Sequence, residues 1–454
     1  MKTLLPRWKD RIKKLMRSRP HAGEPLLRGE LFSVEQLARH ARTLADYHLV
    51  VTRRGSNNLL DKLGQNEDIL RNFNLSTLDK NNAQRVTPAA EWLLDNFYLI
   101  EEQILLARRH LPRSYSRELP RLLNSPSSGL PRVYDIVREL ISHVDAQIDT
   151  EPLSVFIAAY QTVDSLKLGE LWAIPIMLRL GLIENLQRVA TRLTIAQADR
   201  ELAILWIDRL QTMAEKNPSH LVIVVADMAK SDLPLSSSFV AEFSQRLSRQ
   251  SPVLHLARGW LEQRLAEQGL TIELLVQQES QSQAANRLSV SHSIASLRFL
   301  SAMDWKEFVE TQSLVEKTLH ADPAGVYGKM DFATRDRYRH AVEALSRYSR
   351  LSEAEVAHKA VQLAADGAQQ TGIEDRSAHV GFYLIDAGQA LLENMASVRW
   401  PWHMLIERGI RRFPLIWFAG GIVTATLLAT FMLVRQAATL AVQGWELILF
   451  TFVC

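Results

Sequence analysis

Residues Thr87 to His110 read TPAAEWLLDNFYLIEEQILLARRH, and this stretch shows the pattern that decides the fold of most of the chain. Thr87 followed by Pro88 is typical of a helix start, because a threonine hydroxyl accepts from free backbone N–H groups and proline fits the first helical position. The apolar residues then recur at every third or fourth position. Those that can share one broad face are Trp92, Phe97, Ile100 and Ile104. The stretch therefore predicts an amphipathic helix.

The same signals recur over residues 30–396. Asp304 with Glu307, and Ser352 with Glu355, have the spacing of a capping box, in which the first side chain and the fourth residue satisfy each other's backbone N–H groups. The chain shows no fixed-period repeat that would indicate a solenoid. We expect an all-α cytoplasmic region over residues 30–396.

One short segment leaves two alternatives open. Leu221 to Val225 reads LVIVV and is followed by Asp227, as a buried strand with a nearby acid would be. The other interpretation is a buried helix that is capped by Ser219 and continues through Met228. We favour the helix, because no glycine-rich phosphate loop accompanies the segment.

A membrane segment is expected near the carboxyl end. From Phe413 to Val434 the chain reads FPLIWFAGGIVTATLLATFMLV without an ionisable side chain. About 20 apolar residues in a helix cross a hydrocarbon core of roughly 30 Å, so we predict a transmembrane helix over 413–434. Arginines before this run outnumber those after it, which predicts that the preceding chain is cytoplasmic. The preceding arginines are Arg399, Arg408, Arg411 and Arg412.

A second apolar run, LILFTFVC, occupies residues 447–454. It has about a third of the length that a membrane crossing needs, so we interpret it as a partial second span. Residues 397–454 together are predicted to form an interfacial segment and a membrane anchor. We expect the reading frame to be the front piece of something longer.

Residues 1–29 form a third region, which is basic and has apolar residues at near-helical spacing. The segment lacks the uninterrupted apolar run of a secretory signal. It is either an amphipathic helix that lies on an anionic membrane surface or a solvated tail. Both alternatives remain open from the residues alone.

Composition excludes several classes of protein. The 454 residues are 47% hydrophobic and 23% charged, which is typical of folded proteins and not of disordered ones. Cys454 is the single cysteine, so an intrachain disulfide and a cysteine-rich metal site are excluded. The net charge of +3 gives no reason to expect a nucleic-acid partner.

Motifs of catalysis are absent from the sequence. The chain contains no GxSxG, HExxH, Walker or GxGxxG motif, and no Asp-x-Asp pair of the kind that holds the metal ion of a sugar-nucleotide transferase. His320 and Asp322 could ligate a metal, but a helix end with a Pro-Gly turn is the favoured interpretation. We expect no catalytic residue, no metal site and no cofactor within the chain, and no cofactor-binding residue can be assigned.

One basic cluster stands out in the middle of the chain. It lies in DFATRDRYRHAVE and consists of Arg335, Arg337, Arg339 and His340. A phosphate or an anionic sugar could bind such residues. Alternate residues on a helix point about 200° apart, however, so these side chains cannot form one patch alone. Ion pairing with Asp331, Asp336 and Glu343 is the favoured alternative.

Five long phrases resemble the amino-terminal region of bacterial cyclic β-1,2-glucan synthases. The phrases are TPAAEWLLDNFYLIEEQI from Thr87, LPRVYDIVREL from Leu130, LGELWAIPIMLRLGLIENL from Leu168, AGVYGKMDFATRDRYRHAVE from Ala324 and DRSAHVGFYLID from Asp375. Members of that family are large inner-membrane enzymes that polymerise glucose from UDP-glucose into a ring. The resemblance covers roughly Gly29 to Leu440 and stops before the family's glycosyltransferase domain, so no catalytic residue carries over.

The resemblance implies a non-catalytic part of a membrane glucan synthase, inactive alone, at the bacterial inner membrane with its amino-terminal region in the cytoplasm. The implied partners are the lipid bilayer and a glycosyltransferase domain or other membrane helices, with no nucleic acid. The alternative is a freestanding membrane-anchored helical scaffold for protein partners.

Overall fold

A computed structural model describes residues 29–51, 58–78, 86–124, 127–231, 233–248, 255–402, 404 and 414–439. Within these ranges the regular structure is helical apart from two strands of two residues each. The prediction of an all-α region is therefore confirmed. The amino-terminal segment up to residue 28 and the run at 447–454 lie outside the described residues.

The chain divides into two compact units, Met1–Leu314 and Val315–Cys454. Elements of the first unit are α1 (Val34–Tyr47), β1 (Val50–Val51), α2 (Leu59–Leu78), α3 (Pro88–Asp95), α4 (Phe97–His110), α5 (Arg113–Glu118), β2 (Arg121–Leu122), α6 (Arg132–His143), α7 (Thr150–Gln161), α8 (Leu168–Lys216), α9 (Leu221–Lys230), α10 (Ser237–Ser248), α11 (His255–Ala266), α12 (Ile272–Ala302) and α13 (Trp305–Gln312). The boundary between the units falls within α14 (Leu314–Leu319). Further helices of the second unit are α15 (Phe332–Arg347), α16 (Glu353–Thr371), α17 (Val380–Ile385), α18 (Gln389–Met395) and α19 (Pro414–Thr439).

The helix starts follow the predicted local chemistry. The hydroxyl of Thr87 accepts from the backbone N–H of Ala90 at 3.4 Å, and Pro88 is the first helical residue. The carboxylate of Asp304 caps α13, and Ser352 forms the predicted capping box with Glu355 at the start of α16. These three helix starts are confirmed because each depends only on residues within one turn, although the reciprocal bond of a capping box is shown for Ser352 with Glu355 and not for Asp304 with Glu307.

The predicted helix over 87–110 differs from the observed one at its middle. Asn96 separates α3 from α4, and its side-chain amide donates to the carbonyl of Trp92 at 2.9 Å. Such local bonds from asparagine compete with the regular helix. Trp92 is 43% exposed, so it does not share the buried face that contains Ile100 and Ile104.

The segment that begins at Leu221 is a helix, as we favoured, but it is only partly buried, since Val222 and Ile223 are more than half exposed. Its predicted cap is wrong, however. Ser219 lies in a short 3₁₀ turn, and its hydroxyl donates to the side chain of Asn217. His220 occupies the cap position without a side-chain hydrogen bond.

Helix α8 is the centre of the first unit. It has 49 residues, which gives a length of roughly 70 Å. In its first half consecutive residues are buried, including Ala173, Ile174, Ile176 and Met177, so no side of this half faces water. Helices α2, α4, α6 and α12 pack around it, as a helix that is buried on all sides requires.

A second hydrophobic core forms around the other half of α8, where Trp206 and Ile207 pack with residues of α9, α10, α11 and the start of α12. Polar side chains lie between the two cores. Arg200 on α8 donates to Glu279 on α12, and Asp199 accepts from Ser236 at 2.6 Å. We call Asp199, Arg200 and Glu279 the polar layer. Helices α8 and α12 both run through it.

The second unit has its own core, built from α14 to α18. Helices α15, α16 and α17 contact one another closely. A Cβ atom at Gly381 would lie 2.2 Å from the hydroxyl oxygen of Tyr338, so only glycine permits this approach of α17 to α15.

The predicted transmembrane helix at 413–434 is wrong. Helix α19 lies over this stretch, but among the described residues no helix combines the length and the apolarity that a membrane crossing requires. Gly420, Gly421, Thr424 and Thr426 lie within this run and contribute little to the free energy of transfer into hydrocarbon. An apolar run without charge was therefore not sufficient evidence for a transmembrane helix.

The close approach of α6 to α8 can be tested at Gly181. A Cβ atom there would lie 2.6 Å from Cδ1 of Ile141. We expect Gly181→Val to lower the free energy of unfolding by about 1–3 kcal/mol through overpacking. The measurement is urea denaturation followed by circular dichroism.

The matched control is Gly259→Ala. Gly259 is an exposed residue of α11 with open space around it, so the change should raise stability by about 0.5–1 kcal/mol through helix propensity. Equal stability of Gly181→Val and the unchanged protein would contradict the close packing of α6 on α8.

Candidate functional site

The basic cluster singled out in the sequence is part of a buried ion-pair network in the second unit. Its centre is Glu316 on α14, which is 3% exposed. Arg339 donates to this carboxylate at 2.6 Å and Arg335 at 3.3 Å. Tyr327 donates its hydroxyl at 2.7 Å, and Nε2 of His320 lies 3.2 Å away. We call these five residues the Glu316 cluster.

Arg339 is the buried cation of the Glu316 cluster. Its side chain is fully buried, its guanidinium also donates to Asp336 at 3.0 Å, and the group lies over the ring of Phe332. A buried charge is costly unless it is paired. The two arginines of the cluster are four residues apart on α15 and therefore share a face, which holds Arg339 against Glu316.

The other two residues of the predicted cluster lie elsewhere. Arg337 is exposed, and His340 pairs with Glu343 at 3.0 Å and with Asp336 at 3.4 Å. The predicted pairing with Asp336 and Glu343 is confirmed. Asp331 instead accepts from the hydroxyl of Thr334. The main partner, Glu316, belongs to another helix, and no local spacing in the sequence indicates it.

Tyr327 keeps its proton in this environment. Burial raises the pKa of Tyr327 well above its ordinary value, and the hydrogen bond to Glu316 raises it further. The phenol is therefore a neutral donor that satisfies the carboxylate. The arrangement is that of a structural network rather than of a catalytic acid or nucleophile.

His320 and Asp322 do not face a common position at which a metal ion could bind. Asp322 accepts from Nδ1–H of His379 at 2.8 Å and from the backbone N–H groups of Val380 at 3.0 Å and Tyr327 at 3.2 Å. Gly325 follows with a positive φ of 61° and closes the turn onto the carbonyl of Asp322. The favoured interpretation as a helix end with a turn agrees with this geometry.

The pKa of Asp322 reflects these contacts. Burial alone would raise the pKa, but the hydrogen bonds from His379 and the backbone N–H groups hold it below its ordinary value of 3.8. The carboxylate is therefore ionised and firmly held at neutral pH. It joins the end of α14 to the start of α17.

The first unit contains a buried ion pair that the sequence analysis missed. Arg132 on α6 donates to Glu170 on α8 through two nitrogens, at 2.8 and 2.6 Å, and both residues are almost fully buried. Arg132 also contacts Asp164 and donates to the carbonyl of Ser165. Both partners lie in phrases that carry the family resemblance, which is the only signal that could have indicated them.

Two further buried groups line α6. His48 lies 3.2 Å from a carboxylate oxygen of Asp135 and 2.9 Å from the hydroxyl of Tyr160. Burial raises the pKa of Tyr160 above the range of an ordinary phenol, so it is no nucleophile at neutral pH. Glu184 on α8 accepts from Lys62 at 3.0 Å and from Arg188 at 2.6 Å. These contacts fix how α2, α6 and α7 sit on α8.

An open cleft of about 500 Å³ lies between α10, α11 and α12. Its carboxylates include Glu273 and Glu279, but Glu279 is already bound by Ser237 at 3.0 Å and Ser238 at 2.8 Å. Arg258, also on its wall, pairs with Glu262. Glu279 and Arg258 are thus engaged with other side chains and do not converge on a reacting position.

No protein-family model matches this chain. Among curated proteins, the cyclic beta-(1,2)-glucan synthase NdvB of Rhizobium meliloti (strain 1021) is 29% identical to it over 365 residues. The matched residues make up 80% of this chain and 13% of that protein, so the chain spans a small part of the length of this relative. The resemblance predicted from the five phrases is confirmed.

The Glu316 cluster predicts a large effect of one substitution. Glu316→Gln keeps the size of the side chain but leaves Arg339 buried with its principal anion removed. We expect the second unit to lose about 3–5 kcal/mol of stability, as for other broken buried pairs. The measurement is urea denaturation followed by circular dichroism.

The control for this substitution is Arg347→Gln on α15. Arg347 is 49% exposed and pairs with Glu343, so its removal should change stability by about 0.5 kcal/mol or less. Equally small effects of the two substitutions would show that the Glu316 cluster does not stabilise the unit.

The lowered pKa of Asp322 predicts a pH dependence. As pH falls, the unfolded chain takes up this proton near 3.8 and the folded protein only at lower pH, so the stabilisation is complete above 3.8 and is lost as pH falls through the lowered pKa. Asp322→Asn should therefore destabilise the second unit most at pH 7 and least in acid. Unfolding free energies between pH 3 and pH 7 measure this; a difference that stays constant with pH would refute it.

Proposed function

We propose that this chain is the amino-terminal, non-catalytic part of a cyclic β-1,2-glucan synthase and is inactive alone. The observation that carries the proposal is the 29% identity over 80% of the chain to NdvB, which is named a cyclic beta-(1,2)-glucan synthase. In this proposal the helical units support or regulate a glycosyltransferase domain that acts on UDP-glucose. That domain is the partner of the chain.

The geometry of the described residues is consistent with a role in supporting a transferase domain. Glycosyl transfer needs a base for the attacking hydroxyl and a clamp for the nucleotide diphosphate. The buried arginines Arg132 and Arg339 are already paired with Glu170 and Glu316. A diphosphate would have to break these pairs in order to bind.

The buried pairs also explain how such a region can hold a neighbouring domain in a fixed position. Each of them joins two different helices, and breaking one leaves a buried charge unpaired. Helices held in this way present a rigid surface to a neighbouring domain. We further propose that the chain works at the bacterial inner membrane, with its helical units on the cytoplasmic side and without a catalytic cofactor of its own.

The test is incorporation of glucose from labelled UDP-glucose by the purified chain, with and without divalent metal. We expect no labelled glucan. Membranes that contain a full-length synthase serve as the positive control. Metal-dependent formation of β-1,2-linked glucan by the chain alone would overturn the proposal that it is non-catalytic.

A second experiment tests the supporting role directly. In the full-length NdvB synthase, the matched segment is either deleted or replaced by this chain. We expect glucan synthesis to be lost on deletion and restored by the replacement. Full activity after deletion would show that the region neither supports nor regulates the transferase.

A further inference from the structure

Two histidines and a glutamate converge at one end of α6, outside the networks described above. Glu139 and His143 are four residues apart on α6 and share a face, and His40 faces them from α1. Nε2 of His40 lies 3.1 Å from Oε2 of Glu139, and Nε2 of His143 lies 3.6 Å from the same oxygen. One ligand atom from each residue lies within 4.8 Å of the other two.

The hydrogen bond of Nδ1 of His143 determines whether Nε2, which faces Glu139, carries a proton or a lone pair. Nδ1 of His143 lies 2.7 Å from the carbonyl oxygen of Glu30, which can only accept, so Nδ1 carries the proton. In the neutral imidazole Nε2 then presents a lone pair to the carboxylate. Two acceptors that face each other repel unless a proton or a metal ion lies between them.

The surroundings hold the imidazoles in place. The ring of Phe32 stacks on His143 with centroids 3.9 Å apart and meets His40 edge-on at 5.5 Å. The backbone N–H groups of Gly29 and Phe32 donate to carbonyls at the end of α6. A Cβ atom at Gly29 would lie 2.9 Å from the ring of His143, so the chain passes directly over it.

We propose that His40, Glu139 and His143 bind one divalent transition-metal ion, for which Zn²⁺ is the natural probe. Two imidazoles and a carboxylate suit this class of ion, whereas Mg²⁺ and Ca²⁺ prefer oxygen ligands. Bonds of about 2.0–2.1 Å in a tetrahedral arrangement place ligand atoms roughly 3.3 Å apart. The separations of 3.1 and 3.6 Å between Oε2 of Glu139 and the two imidazole nitrogens bracket that spacing, and the two nitrogens lie within 4.8 Å of each other.

The accessibility of the three side chains fits an ion that enters from solvent. His40 is 27% exposed, Glu139 36% and His143 13%. Three protein ligands leave a fourth position for water or for an oxygen of a partner. The bond from His143 to the Glu30 carbonyl has the form of the outer-shell contact that orients metal-binding imidazoles.

Such an ion would join α1 to α6 across about a hundred residues of intervening chain. An ion that binds the folded protein and not the unfolded chain raises stability with the logarithm of its free concentration once that exceeds the Kd. The site therefore goes beyond the proposed supporting role, since it makes the stability of the first unit respond to metal.

The test uses the full chain without a histidine tag, stripped with EDTA and dialysed against Zn²⁺. We expect one zinc per chain by elemental analysis and a rise in the thermal midpoint with Zn²⁺ but not with Mg²⁺. His40→Ala and Glu139→Gln should each weaken zinc binding at least tenfold. Co²⁺ should give the visible absorption of a tetrahedral ion in the unchanged protein and not in the two ligand variants.

The matched control is His110→Ala, since His110 is an exposed histidine at the end of α4 and not part of the cluster. It should bind zinc as the unchanged protein does. The two ligand variants are checked for folding by circular dichroism, and Glu139→Gln keeps the shape of its side chain. Zinc binding that is equal in the ligand variants and in the His110→Ala control would overturn the proposal.

The remaining alternative is that a proton, and not a metal ion, lies between His143 and Glu139. Nitrogen NMR distinguishes the two cases. If His143 is simply an imidazolium paired with Glu139, nitrogen NMR shows protons on both ring nitrogens near neutral pH and no change on adding Zn²⁺. That result would also overturn the proposal. Loss of the Nε2 proton on zinc addition, in the unchanged protein and not in His40→Ala, would support it.

Discussion

The first half of α8 has buried side chains on every side, most of them apolar, and the requirement that water be excluded from them organises the larger unit. Fully burying one large apolar side chain contributes about 1.5–3 kcal/mol, so a helix of this kind is stable only inside a shell of other helices. Helices α2, α4, α6 and α12 form that shell. Their own polar faces then become the surface of the unit.

Enclosure of α8 also explains where charges are buried. Glu170 and Glu184 lie on α8 itself, so the helices that cover it must bring cations with them. Arg132 on α6 and Lys62 on α2 meet this need. Buried pairs of this type add little net stability compared with apolar packing, but an incorrect register would leave a charge unpaired. We interpret them as the contacts that select one packing of the shell.

Local chemistry was predictable from the sequence, and distant pairing was not. Thr87, Asp304 and Ser352 cap helices as expected, because the partners of a cap lie within one turn. The partners of Arg339 and His40 lie on other helices, and spacing within one segment carries no information about them. The transmembrane prediction was wrong for a different reason. It rested on the length of one apolar run without charge, and among the described residues no helix is long and apolar enough for a membrane crossing.

The polar layer between the two cores of the first unit affects how the sequence of each core can evolve. Apolar side chains on either side of Arg200 and Glu279 belong to separate packing environments. A change of volume in one core is then compensated within that core, and the two can diverge at different rates among related sequences. Residues of the layer hold α8 and α12 in register, so we expect them to vary only as a correlated set.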